Sequence, residues 1–325
     1  MSNEINVSAE AQFGKVVIDL ANSATESTAL CEMEAFELKG NAEAAVILGQ
    51  RYRYDDIQEA KKHFEIAANL NNSEGYWGMS LVVPHNETID LSNPLDKEWF
   101  DYVKKAAEGG CPDAKYQLGM IYGQLNYMTP AVYWLMMVSF FDRPDANYYL
   151  GQLIGAWVSK GRPAEPAESQ SELELLQQRT AKTVLNLMSS QEDADYLGDL
   201  TRLAKLGEPL AALMVGQIYE ESHKMSDAAD FYEIAIQVGD VQGMRLYADM
   251  LLCGNGIEKD EGKAISLYKE AAINGDRSAM FTMGQYENYE YNDPNMAAYW
   301  YAMSASRGYE ASRMKISELA KKVSN

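Results

Sequence analysis

Acid–base and metal chemistry near neutral pH draws first on histidine, and this sequence of 325 residues has three, His63, His85 and His223. None stands at the short-range spacing of a zinc ligand set, or of a nucleophile and its base, with another His, Cys or Asp. Each therefore reads as a surface or hydrogen-bonded helix residue. Cys31, Cys111 and Cys253 are odd in number and far apart, which argues against a disulfide framework or a CxxC clip and fits a reducing compartment. The phosphate-cradling patterns Gly-x-Gly-x-x-Gly and Gly-x4-Gly-Lys-Ser/Thr are missing. Carboxylate pairs such as Glu192-Asp193 and Glu220-Glu221 are what a solvated helix face carries. No catalytic residue, cofactor or metal ligand is assigned, and the chain is expected not to be an enzyme.

Residues suited to recognition, by contrast, fall into registers. Counted from a recurrent small residue, the next position reads Gln50, Leu81, Met120, Gln152, Gln217, Asp249 and Gln285. The Gln amides both donate and accept, so Gln50, Gln152, Gln217 and Gln285 could hold the backbone of an extended peptide or loop. Three residues before the same reference stand Val46, Trp77, Tyr116, Tyr148, Leu213, Arg245 and Phe281. Trp77, Tyr116, Tyr148 and Phe281 are the kind of large flat group that anchors an interface. Two plainer readings stay open: Gln as a good helix former at an exposed position, and aromatics packed between neighbouring units.

These registers exist because the chain repeats itself. A Gly, an Ala and a small residue followed by Tyr recur as Gly40, Ala44, Gly49, Tyr52, as Gly110, Ala114, Gly119, Tyr122, and as Gly207, Ala211, Gly216, Tyr219. Weaker copies start at Asn71, Asp142, Gly239, Gly275 and Gly308, giving steps of 31, 39, 32, 65, 32, 36 and 33 residues. A period in the thirties belongs to stacked helical hairpins that cover one another's apolar faces. Pro112, Pro130 and Pro209 stand where helices start, with Thr129 as the expected N-cap before Pro130, and the glycines stand where helices end. Ala131 to Phe141, the longest apolar stretch, is about half of the ~20 residues that span a bilayer and reads as a buried helix. The double step holds an irregular insertion at about 159–192, a loop by composition followed by a helix from about Ser171 to Met188.

With Ala264-Ile265-Ser266-Leu267-Tyr268-Lys269-Glu270-Ala271-Ala272 and Gly275, the chain resembles the Sel1-like repeat family, relatives of the tetratricopeptide repeat. The likeness runs over about residues 40 to 315 and is strongest from Gly207 to Tyr309. Most units lack the family's Gly-x-Gly-Val corner, and Asn71 and Asp142 replace the terminal Gly. The fold expected is all-α, a right-handed α-solenoid of stacked helix-turn-helix repeats. Residues 1–39 would form N-terminal capping helices, 40–315 the repeats, and 316–325 a C-terminal cap, with Met314, Ile316 and Leu319 on the apolar side of the last helix.

Charge describes the partner. Asp and Glu number 48 against 28 Lys and Arg, for a net charge of −20. That field repels nucleic acid and speeds encounter with a basic protein. From Gly161 to Asp240 there are 15 acidic and 6 basic residues. Glu165, Glu168, Glu172, Glu174, Glu192, Asp193, Asp195 and Asp199 are the steering residues assigned. The opening residues lack the basic and apolar pattern of an export signal, so the expected place is the cytoplasm, with no membrane partner. The expected function is non-enzymatic binding of a protein through the concave face and acidic surface, for example as a cytoplasmic immunity protein that covers a basic toxin. The resemblance also implies two alternatives: an adaptor that assembles a signalling or envelope-biogenesis complex, and, more remotely, a hydrolase. Hydrolase activity belongs to family members with paired cysteines in each repeat, a pairing this chain lacks.

Overall fold

A computed structural model describes residues 8–22, 25–139, 145–160, 172–188 and 195–323. Among them are 18 α-helices and no strand. In chain order these are α1 (Ala9–Leu20), α2 (Glu26–Leu38), α3 (Ala42–Tyr52), α4 (Ile57–Asn69), α5 (Ser73–Val82), α6 (Pro94–Glu108), α7 (Pro112–Gln124), α8 (Met128–Ser139) and α9 (Asp145–Ser159). They continue with α10 (Glu172–Met188), α11 (Tyr196–Lys205), α12 (Pro209–Glu221), α13 (Met225–Gln237), α14 (Val241–Cys253), α15 (Glu261–Ile273), α16 (Arg277–Tyr289), α17 (Pro294–Ser306) and α18 (Glu310–Val323). The architecture is that of stacked helix-turn-helix repeats.

Local signals set the boundaries. Asn41, Asn72, Asp240 and Asp276 each accept a hydrogen bond from the backbone N–H three residues on, capping α3, α5, α14 and α16. A cap of this kind contributes about 1 kcal/mol. Gly275 (φ +103°) and Asn71 (φ 57°) end the preceding helices in the left-handed region, which explains how Asn can stand in for Gly there. One start differs from expectation. Helix α8 begins at Met128, so Thr129 is a buried residue of the first turn rather than the cap.

Within the hairpins, glycine on the first helix makes room for a large side chain on the second. A Cβ on Gly49 would lie 2.6 Å from Phe64 Cδ1, and one on Gly78 only 2.1 Å from the same atom, so the Phe64 ring is held between α3 and α5. Gly119 meets Leu135, Gly216 meets Tyr232 and Gly284 meets Tyr301 in the same way.

The chain divides into two compact units. Unit 1 joins residues 1–85, 108–111 and 271–325, and so contains both the first and the last of the described helices, α1 and α18. Phe13, Met33, Leu48, Tyr301, Ile316 and Leu319 share its core. Helix α1 lies so close on α17 that a Cβ on Gly14 would fall 1.8 Å from the Asn295 carbonyl oxygen. Phe13 sets its ring edge against Phe36 at 5.3 Å and Tyr299 at 6.0 Å. In α18, Ile316, Leu319 and Ala320 are buried, whereas Met314 is 58% exposed and leaves the apolar side to Ala320.

A buried polar network joins α3 to the end of α17. Arg307 pairs with Glu43 at 2.8 Å, while Asn72 and Ser306 donate to the same carboxylate at 2.9 and 3.0 Å. Gln50 donates to the Ser306 carbonyl at 2.8 Å, and Arg277 donates to the Arg307 carbonyl at 3.0 Å. Burial alone would lower the pKa of the Arg307 guanidinium, yet Glu43 and Glu74 hold it above its usual value. Nearby, His63 Nδ1 lies 2.6 Å from Glu37 Oε1, and the imidazole stacks on Tyr52 at 5.5 Å.

Unit 2 joins residues 86–107 and 112–270. Its core runs through Val132, Leu135, Leu150, Leu185, Leu213 and Tyr232. Helix α8, which holds residues 131–139 of the long apolar stretch, buries nine of its 12 residues, and residues 140 and 141 lie outside the described residues. Gln242 reaches across from α14 to the Met137 carbonyl at 3.4 Å. Asp96 organises the loop before α6 by accepting from the Asn86 and Asp90 backbone N–H groups at 2.8 and 2.9 Å.

Breaking the Glu43–Arg307 pair leaves its partner buried without compensation. We expect Glu43→Gln and Arg307→Met each to cost about 3–5 kcal/mol by chemical denaturation, and the double variant to cost less than their sum. Strict additivity would show that the pair contributes no coupling.

Candidate functional site

The residues assigned to recognition divide by unit. In unit 1, Trp77 on α5 is half-buried and its carbonyl accepts from Ser80 Oγ at 2.7 Å. Phe281 on α16 is also half-buried, tilted against Tyr301 at 5.6 Å and Tyr309 at 5.1 Å. Gln285 lies one turn further along α16 and is half-buried, and the Gln50 amide is engaged by the end of α17.

In unit 2, Tyr116 on α7 is half-buried, with its ring 6.3 Å from that of Tyr149 on α9. Gln217 on α12 is half-buried, and its Oε1 is enclosed without a hydrogen-bond partner among the described residues. Tyr148 is different. It is 73% exposed, and exposed Gln152 follows one turn later on the same helix. Helix α9 buries only Ala146, Leu150 and Ile154, at a four-residue spacing, so the opposite side is left open. A Cβ added to Gly151 or Gly155 would meet nothing within 4 Å. Asp145 is the only charged residue of the helix.

Of the acidic residues, Glu165, Glu168, Glu192 and Asp193 lie outside the described residues. For Glu172 and Glu174 only the backbone, in the first turn of α10, is described. Asp195 is exposed and caps α11 by accepting from Gly198 N at 3.0 Å, and Asp199 pairs with Arg202. Among the described residues no three His, Cys, Asp or Glu side chains are grouped to hold a metal ion, and no helix is long and apolar enough to cross a membrane.

Sequence reasoning passed over one polar cluster in unit 2. Glu208, 0% exposed, caps α12 by accepting from Ala211 N at 2.7 Å, and the same oxygen accepts from Thr180 Oγ1 at 3.0 Å. Its other oxygen, Oε1, has no hydrogen-bond partner among the described residues. Burial raises the Glu208 carboxyl to about 7, against the pull of the Ala211, Thr180 and Leu210 bonds. Burial likewise raises Asp240, opposed by the Gly243 N–H and Lys115, and raises the Tyr133 phenol, which also feels Glu208 and Asp240. A Glu just before Pro209 signals a helix start in the sequence. That α10 covers it is visible only in three dimensions.

Comparison with known proteins places Sel1 repeats in the chain at residues 42–72, 241–276 and 278–309. Among solved structures, the Sel1 repeat protein from Oxalobacter formigenes is 17% identical, with 93% of this chain and 82% of that one covered at a TM-score of 0.40. The protein c5321, a protective antigen of uropathogenic Escherichia coli strains with an SLR fold, is 19% identical, with 88% and 73% covered at a TM-score of 0.37. No curated protein matches the sequence.

Packing and open aromatic positions separate by experiment. Phe281→Ala should lower stability by about 2–4 kcal/mol, because a packed ring leaves a cavity. Tyr148→Ala should change it by no more than about 0.5 kcal/mol. Denaturant titration of the two variants compares them, and an equal loss in both would place Tyr148 in a packed environment.

Proposed function

Because the chain carries Sel1 repeats, we propose that it is a non-enzymatic protein-binding module whose contact surface includes the open side of α9. The observation that carries this reading is the Tyr148–Gln152 pair. A large aromatic and an amide stand exposed one turn apart, while Val46 and Leu213, which share the Tyr148 register, are buried. An aromatic of this kind supplies anchoring area at low entropic cost, and the amide supplies a donor and an acceptor for a partner's backbone.

The partner we propose is a basic protein. A net charge of −20 favours encounter with a positive surface and disfavours nucleic acid. Asp195 and Asp199, with the other carboxylates assigned between Gly161 and Asp240, would steer that encounter rather than anchor it. The specific role is that of a cytoplasmic inhibitor that neutralises a basic toxin domain. Trp77, Tyr116 and Phe281, with Gln50, Gln217 and Gln285, are proposed as supporting contacts through the parts of their side chains that packing leaves accessible.

The test is capture from the native cell's lysate at low and at moderate salt, with wild type and with the Tyr148→Ala, Gln152→Ala double variant. We expect one basic protein, held at low salt, with an association rate that falls steeply as salt rises. The double variant should weaken binding at least tenfold. Several salt-resistant partners would instead identify an adaptor, and full retention by the variant would move the contact away from α9.

A further inference from the structure

Glu208 does more than cap a helix. Its Oε2 is the acceptor for Thr180, the residue by which α10 is bonded to the start of α12. Gln177, one turn earlier on α10, is hydrogen-bonded to the Tyr133 phenol of α8. Thr180, Ala181, Val184 and Leu185 are buried, so this face of α10 is closed over the cluster. Among the described residues Oε1 meanwhile has no hydrogen-bond partner. A neutral carboxyl tolerates the arrangement. A carboxylate is disfavoured, because the cost of burying the charge exceeds what the Ala211, Leu210 and Thr180 donors return.

We propose that Glu208 is a proton-operated latch on α10: protonated, it keeps the helix seated on α8 and α12, and ionised, it favours the local opening that brings water to Oε1. Neighbouring groups reinforce this. Asp240, at the start of α14, adds negative charge toward Glu208, and Tyr133 on α8 remains neutral across the relevant range. Lys115 on α7 and Arg245 on α14 act on Asp240. The charged residues Arg202 and Lys205 of α11, and Asp227, Asp230 and Glu233 of α13, are exposed, and half-buried Asp199 is paired with Arg202.

The direction in pH follows from the sign of the burial effect. The closed state keeps its proton between the ordinary carboxylate value and about 7, whereas the open state has lost it. Raising the pH across that interval therefore favours opening, and above it the effect is spent. Nothing in this depends on which partner the protein binds.

Hydrogen–deuterium exchange of the full chain, followed at the α10 amides from residue 177 to 186 and corrected for intrinsic exchange, reads the opening constant directly. In wild type it should rise about tenfold per pH unit from about pH 5 to 7 and then level off. Glu208→Gln keeps an acceptor for Thr180 and Ala211 and places an amide at the unpartnered position, so its profile should be flat. Asp240→Asn should retain most of the slope. A flat wild-type profile would overturn the latch without recourse to any variant, and so would a slope that survives Glu208→Gln.

Discussion

Close approach of two helices at a glycine is the constraint on which the repeats depend. Phe64 fits only because Gly49 and Gly78 present bare backbone to its ring, and Tyr232 and Tyr301 use Gly216 and Gly284 in the same way. The hydrophobic effect is indifferent to direction, but a ring held against backbone fixes how far each helix slides along the other. Repeats that differ widely in sequence can therefore keep one geometry, provided that the small residue and the large one stay paired. Leu135 against Gly119 shows that the ring itself is dispensable.

Unit 1 adds a second constraint, of charge. Its carboxylates, Glu43 and Glu74, come from the early part of the chain, and its guanidiniums, Arg277 and Arg307, come from the late part. A hydrophobic joint between α3 and α17 would allow several registers. A buried ion pair with four further hydrogen-bonding neighbours penalises every register but one, which is the best-attested use of buried charge. In unit 2, Glu208 at the start of α12 stands in the register of Asn41, the cap of α3, rather than in that of Glu43, and like Asn41 it accepts from the backbone N–H three residues on.

Much of this architecture was legible in the sequence because its signals are local. Gly275 and Asn71 end helices where the punctuation said, the stretch from Ala131 became buried α8, and the helix expected from about Ser171 begins at Glu172. What escaped depends on neighbours distant in sequence. Gln50 occupies its expected register, but the acceptor for its amide, Ser306, is 256 residues away. Met314 and Ala320 flank the same amphipathic stripe, and only the position of α17 and α1 decides which is covered. The recognition residues illustrate the limit most plainly: Phe281 and Tyr148 share a register, yet one touches Tyr301 and Tyr309 while the other faces solvent.

The packing of early helices on late ones in unit 1 also has a consequence in time. Glu43 and Arg307 are 264 residues apart, so during synthesis the first must wait for the second. At about 5–20 residues per second that interval is on the order of ten seconds to a minute. Throughout it, Glu43 lacks the guanidinium that pairs with it in the fold, and α1 lacks α17, against which it packs. Unit 2, whose residues are complete by Glu270, has no such delay. Synthesis alone therefore makes every residue of unit 2 available before Glu43 can meet Arg307.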